Sequence, residues 1–313
     1  MPQVHTEEPR LPPDLERHIF ETVALSRPVN IPNLMLVAWR VKSWVEPLLY
    51  RVLVMDMFAA RPIDGLPFIT ADVFLRLVTE KSGRFFPDSV KHLILGYKAW
   101  GGAPTNSHRH MSAILSACSG VTHFSLQTEV NLRPHELTAL AGLQAIHYLA
   151  VDISRVFAST TVDFTHPVFR HITHLELRNI RPEKLGDTTW VQVAHIPNLT
   201  HLSFRVQEFC GSLGCTLCAS LRLTCLIFLC PRNEDILAAA ETVDDPRFAV
   251  MKFWSHSICV NTQVEWQQMG LTGESYWSKA DRFLEARRAG DIDGRLIGTF
   301  ADSVYHIDVQ DEA

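Results

Sequence analysis

One pattern constrains this chain more than any other. The arrangement apolar-x-x-apolar-x-apolar recurs at Val90–Leu95, Val121–Leu126, Leu143–Tyr148, Ile172–Leu177, Leu199–Phe204, Leu223–Phe228 and Phe248–Phe253, successive copies starting 22–31 residues apart. Three copies share a dipeptide, Thr122-His123, Thr173-His174 and Thr200-His201. A period in this range is one supersecondary unit per copy. A unit that small cannot bury its own apolar face, so the copies are expected to stack and bury it jointly. The expected fold class is α/β: a solenoid whose curved parallel sheet lines one face. Short helices or irregular turns, such as 107–118 and 189–194, return between strands. Val52–Met55 reads as a further strand and Ala71–Glu80 as a helix.

Composition mainly excludes. A hydrophobic fraction of 47% in 313 residues supplies a sizeable core, while 29 basic against 34 acidic residues leave a net charge of -5 and no basic field for nucleic acid. Five of the seven cysteines fall between 210 and 230, an odd and crowded set that fits a reducing compartment better than a disulfide framework. The start of the chain lacks the basic and apolar segments of a secretory leader. The most apolar window, Leu221–Cys230, is interrupted by Arg222 and is far shorter than the ~20 residues of a membrane span. The expectation is a cytoplasmic or nuclear protein, or both, with no membrane and no nucleic-acid partner.

The N-terminal part reads differently. Residues 1–10 form a Pro- and Glu-containing tail; beyond it Leu15, Ile19 and Val23 fall four apart and mark a short amphipathic helix. After a Pro-rich connection, Pro32–Tyr50 reads as a second helix, with Pro32 able to open it and Pro47 to bend or end it. Leu34, Val37, Val41, Trp44, Val45 and Leu48 make one apolar stripe, yet Met35, Leu36 and Trp39 project from the other side. A helix apolar on two faces requires a second partner, either in this chain or in another protein.

Leu11-Pro12, Asp14-Leu15, Ile19-Phe20, Leu34, Leu36-Val37, Trp44 and Pro47-Leu48-Leu49-Tyr50-Arg51 resemble an F-box, in the F-box-like form common among fungal proteins, followed here by degenerate leucine-rich repeats. Two departures stand out: Ala38-Trp39-Arg40-Val41 where the motif carries Cys, basic residues and Trp, and a connection lengthened by 26–32. The resemblance implies a substrate-recognition subunit of a cullin-type ubiquitin ligase. Leu11, Pro12, Leu15, Ile19, Leu36, Trp39 and Trp44 would dock on a Skp-type adaptor, and the repeats would present a protein target. The implied organisation is a tail (1–10), an F-box-like segment (11–51), a repeat solenoid (52–254), and a C-terminal helical cap with an acidic tail (255–313). The competing reading is a scaffold whose F-box-like segment only caps the repeats, with Met35, Leu36 and Trp39 covered by Phe58, Phe74 and Leu77.

Strand alternation sets Leu175 and Leu177 inward and therefore His174, Glu176 and Arg178 on the opposite, open face. His201, Ser203 and Arg205 join them, as do His123, Ser125 and Gln127 two copies earlier. His123, Gln127, His174, Glu176, Arg178, His201 and Arg205 are the expected target contacts, against the alternative that each His caps or packs within its repeat. A His174–His201 pair and a Cys210–Cys215–Cys218 group are the two candidate metal arrangements, and neither supplies the roughly four ligands that zinc takes. No Gly-rich phosphate loop, Gly-x-Ser-x-Gly elbow or His-Glu-x-x-His occurs, and His108 and His110 read as a solvated turn. The expectation is a protein without catalytic residues, metal or cofactor.

Overall fold

The computed structural model describes residues 11–55, 69–96, 107–127, 131–158, 161–178, 191–205, 211–219, 222–230, 233–252, 258–292 and 298–299. The chain is α/β, built on one open parallel sheet. Its strands are β1 (Val52–Met55), β2 (His92–Gly96), β3 (His123–Gln127), β4 (Tyr148–Val151), β5 (His174–Leu177), β6 (His201–Arg205), β7 (Cys225–Cys230) and β8 (Phe248–Lys252), with a two-residue β9 (Gly298–Thr299) beside the last. Each strand pairs with the next in the chain, so spatial order equals sequence order.

The helices are α1 (Pro13–Ser26), α2 (Ile31–Leu34), α3 (Trp39–Leu49), α4 (Ala71–Glu80), α5 (Phe85–Ser89), α6 (Ser107–Ala117), α7 (Pro134–Ala141), α8 (Ile153–Val156), α9 (Gly211–Cys218), α10 (Asn233–Thr242), α11 (Ile258–Thr272) and α12 (Tyr276–Ala289). Alternation decides which strand residues meet which helices. Leu53, Leu93, Phe124, Leu149, Leu175 and Leu202 face the connecting segments and share one core with Phe74, Phe86 and Ile114. The opposite set, including Val54, Ile94, Ala150, Ile227 and Met251, faces α11 and α12 instead. The sheet is therefore sandwiched between two layers, and this corrects the expected role of the C-terminal segment. It covers the sheet face that alternation alone would leave open. Gly270 permits that close approach: a Cβ there would fall 2.3 Å from Val52 Cγ2 and 3.2 Å from the His92 ring. Helix α12 ends at Gly290, whose φ of +79° is the left-handed conformation that favours glycine at a helix end.

Two repeat copies are displaced by three residues from the positions expected. Tyr148, placed sixth in its copy, pairs with His123, so the fourth unit is Ile146–Val151. Phe248, placed first, pairs with Leu226 and occupies the fourth position. Both windows are apolar enough to satisfy the template in two frames, and strand pairing selects the frame.

The second N-terminal helix is also split. Residues 35–37 form a turn and Ala38 is extended (φ -162°, ψ 156°) before α3 begins. No Pro or Gly marks this break, so local sequence does not dictate it. Ala24 of α1, Ile31 of α2 and Val41 and Val45 of α3 meet in one small core, separate from that of the sheet. Glu16 and Arg40 form a forked ion pair (Arg40 Nη2 and Nε donating at 2.8 and 3.0–3.2 Å), tying the start of α3 to the first turn of α1. Tyr50 packs edge-on against Phe85 and Phe86, and Lys81 reaches Glu46 at 2.6 Å, which joins this unit to the first repeat.

Candidate functional site

The N-terminal unit leaves an unusual amount of apolar side chain in solvent. Leu15, Ile19 and Val23 lie exposed at four-residue spacing on one face of α1, and Leu11 is exposed just before the helix. Beyond the break, Leu36 is 84% exposed and Trp39 80%, with Val37 beside them. Pro12 is exposed as well. Trp44 differs: it is half-buried and packs on the unit's own core of Val41 and Val45, so its expected place among the docking residues is corrected. Scattered exposed apolar residues need no explanation, but a concentration on one small unit marks an interaction surface.

The second candidate lies under α11 and α12. His92, His123, Tyr148, His174 and His201 occupy the same register on five adjacent strands, and their rings stack at 3.9–4.0 Å between centroids. Trp266 meets this ladder edge-on at His123, and Trp277 at His174 and His201. The Thr-His dipeptide explains three of the rungs. Each Thr hydroxyl donates to the carbonyl of the residue just before the preceding strand: Thr122 to Lys91, Thr173 to His147 and Thr200 to Thr173. Its proton being used, each Thr Oγ1 accepts from the Nδ1–H of the following His at 2.8–2.9 Å. That contact places the imidazole proton on Nδ1 and the lone pair on Nε2. Burial pushes His92 down to about 3 and His123 and His174 down to about 2, with nearby Arg51 and the other imidazoles acting in the same direction.

His92 is the exception in this scheme. Lys91 stands where Thr122 stands in the next unit, and His92 Nδ1 is buried without a hydrogen-bond partner. Lys91→Thr is expected to supply the missing acceptor, since the hydroxyl of residue 91 would face the Arg51 carbonyl that already accepts from His92 N. One added buried hydrogen bond stabilises by about 1 kcal/mol, which a shift of the urea midpoint at constant m-value would register.

Beside the ladder, Glu176 is 1% exposed and accepts from Arg178 Nε (2.8 Å) and Arg205 Nη2 (3.0 Å) through Oε1, and from the Tyr276 hydroxyl (3.1 Å) through Oε2. Tyr276 having donated its proton, Ser203 Oγ donates to Tyr276 Oη at 2.9 Å. Burial by itself would raise Glu176; the two guanidinium groups outweigh it and hold the carboxyl down at about 2. The alternation argument thus identifies the face correctly but not its fate. Glu176, Arg178 and Arg205 are buried beneath α12, so the expectation that they meet a target on an open surface is corrected. His123, His174 and His201 are partly buried in the ladder. Gln127 is in β3, and its side chain lies outside what the structure describes.

The expected metal arrangements do not assemble. His174 and His201 stack with their planes 11° apart, so their in-plane lone pairs run side by side and do not converge. Cys215 is exposed and Cys218 half-buried on α9, Cys210 lies outside the described residues, and although Asp245 accepts a hydrogen bond from Cys218, no group of three ligand atoms gathers around the pair among the described residues. A different cluster forms instead: His201, Cys225 and Asp281 offer ligand atoms within 4.8 Å of one another. Close by, Arg51, His92, His123, Tyr148, Trp277 and Asp281 are among the residues lining a cleft of about 210 Å³. No signal in the sequence links Asp281 to these residues; Cys225 is legible only as the residue after Thr224 in the register of the ladder.

No family model matches the chain, and no curated protein matches it. Among the described residues, no helix is long and apolar enough to cross a membrane.

Proposed function

We propose that this chain is an F-box-like substrate-recognition subunit of a cullin-type ubiquitin ligase, with the unit 11–51 docking on a Skp-type adaptor and a leucine-rich-repeat-like arm holding a protein target. The observation that carries this reading is the exposure of Leu36 and Trp39 together with the Leu11–Leu15–Ile19 stripe. An aromatic anchor flanked by aliphatic side chains is the composition of an interface centre. The solenoid part of the reading is supported by parallel strands that follow one another in chain order, with the described helices between β1 and β8 contributing to one core on one face of the sheet. Function here is positioning: a target held beside a ubiquitin-loaded enzyme reacts at raised effective concentration.

The competing scaffold reading requires the chain itself to cover Met35, Leu36 and Trp39; Met35 is partly buried on the unit's own core, whereas Leu36 and Trp39 are exposed. Phe74 instead turns into the main core against Phe86 at 4.8 Å, and Leu77 packs on that core too. Phe58 lies outside the described residues. The exposed side chains favour the docking reading. The target face is proposed without Glu176, Arg178 and Arg205, which serve the fold.

Binding of the purified chain to a Skp-type adaptor tests the proposal. Trp39→Ala is expected to weaken binding by about 2–4 kcal/mol, the range for an aromatic hot spot, and the Leu11→Ala/Pro12→Ala variant to weaken it less. Both are expected to keep the wild-type melting temperature, since exposed substitutions change stability by roughly 0.5 kcal/mol or less. A folded wild-type chain that fails to bind would remove the ligase reading.

A further inference from the structure

We propose that His201, Cys225 and Asp281 form a binding site for a zinc-class divalent metal ion. Three features of the fold converge on it. First, β6 and β7 pair His201 directly with Cys225, and the imidazole stacks on His174, so two of the three donors are held by the sheet. Second, the Thr200 hydroxyl donates to the Thr173 carbonyl and accepts from His201 Nδ1, leaving the Nε2 lone pair aimed at Asp281 Oδ1, 2.9 Å away. A lone pair facing a carboxylate oxygen at that distance is repulsive unless a proton or a cation lies between them. Fixing one ring nitrogen by a hydrogen bond so that the other can ligate is the usual support of a metal-binding histidine. Third, the Cys225 side chain, held in the apolar cluster with Trp277, Ala280 and Leu284, belongs to the same group of donors, so sulfur stands beside the nitrogen and the oxygen.

The donor set selects the class of ion. One imidazole nitrogen, one sulfur and one carboxylate oxygen suit a borderline-soft ion that accepts tetrahedral geometry, and they disfavour calcium or magnesium, which take oxygen ligands. Binding converts the Cys225 thiol to a thiolate with release of one proton to solvent. Thiolate and carboxylate then balance a 2+ charge, which makes the centre neutral overall beside the buried face of the sheet. Donors in a tetrahedral zinc site lie about 3–4 Å apart, closer than the 4.8 Å limit of the cluster. Asp281 supplies the adjustment, since its side chain is 44% exposed and free to rotate toward the other two. Water completes the shell. The site would pin α12 to β6 and β7 and close one end of the stacked rings.

The test is titration of the metal-stripped full chain with Co²⁺ under reducing conditions. One equivalent is expected to bind with a near-ultraviolet sulfur-to-cobalt charge-transfer band, and Zn²⁺ is expected to displace it. Cys225→Ala is expected to abolish the band. Asp281→Asn, at a partly exposed position, is expected to weaken Co²⁺ binding at least 10-fold while leaving the melting temperature of the metal-free protein unchanged. A Cys215→Ser/Cys218→Ser variant is expected to keep the band. Absence of a band in the wild-type chain overturns the site. So does a band lost only in the Cys215/Cys218 variant, or Co²⁺ affinity unchanged in Asp281→Asn, an outcome that decides the matter even if Cys225→Ala does not fold.

Discussion

Glu176→Ala is expected to destabilise the folded chain by roughly 3–5 kcal/mol, the cost of stranding buried charge after one partner is removed. The carboxylate is the common acceptor for Arg178, Arg205 and Tyr276. Without it two guanidinium groups at 7% and 5% exposure repel one another and lose their shared acceptor. A loss of that size consumes a large part of the 5–15 kcal/mol that stabilises a typical domain. Tyr276→Phe removes one donor and leaves the ion pairs intact, so it should cost only about 1–2 kcal/mol. Denaturant unfolding followed through the transition distinguishes the two. Equal losses for both variants would mean that the hydroxyl, and not the charge cluster, anchors α12.

Stability is expected to fall with acidification, and the slope is set by the ladder. His92 and His123, which lie away from the His201 cluster, are held neutral in the folded chain down to about 3 and about 2 by burial first. The neighbours of His92 are Arg51 and the His123 ring, with Gly270 of α11 above it; His123 meets His92, Tyr148, His147, Arg51 and Trp266. Unfolded, both histidines titrate near 6.5. Their contribution is therefore complete above about pH 6.5 and is lost below it, at roughly 1.4 kcal/mol per pH unit for each residue, as the unfolded chain takes up protons the folded chain refuses. Glu265 works in the other direction: burial raises it to about 8, so the folded chain holds a proton that the unfolded chain releases above pH 4.5. With His174, likewise held down to about 2, three histidines against one glutamate leave a net slope of about 2.8 kcal/mol per pH unit between about pH 6.5 and 4.5. Glu265→Gln is expected to steepen that slope to about 4 kcal/mol per pH unit, and His123→Phe to halve it; melting curves across this window measure both. Below pH 4.5 Glu176, depressed to about 2, adds its own loss.

Much of the fold was legible in residues whose environment is set by their neighbours along the chain. The alternation in His174-Leu175-Glu176-Leu177 assigned two faces correctly because a strand has a period of two whatever covers it. The Thr-His dipeptides marked equivalent positions, and the structure gives them a shared hydrogen-bond pattern. The break at Ala38 was not legible, because alanine is a good helix former and the break serves contacts with α1 across 24 residues of chain. Nor was the frame at Tyr148, where two apolar windows overlap and only pairing with His123 separates them.

The sequence by itself determined that the chain would make stacked parallel strands with an inner apolar face, since periodic hydrophobicity and strand geometry suffice for that. It also determined the amphipathic stripe Leu15, Ile19 and Val23, whose exposure follows from a helix with too little partner surface in its own unit. Only the tertiary structure decided that α12 would return across the sheet, burying Glu176 with Arg178 and Arg205 and bringing Asp281 to His201 from 80 residues away. Such contacts depend on where the ends of a long chain meet after the core has formed. That is a property of shape and charge in three dimensions which no local period encodes.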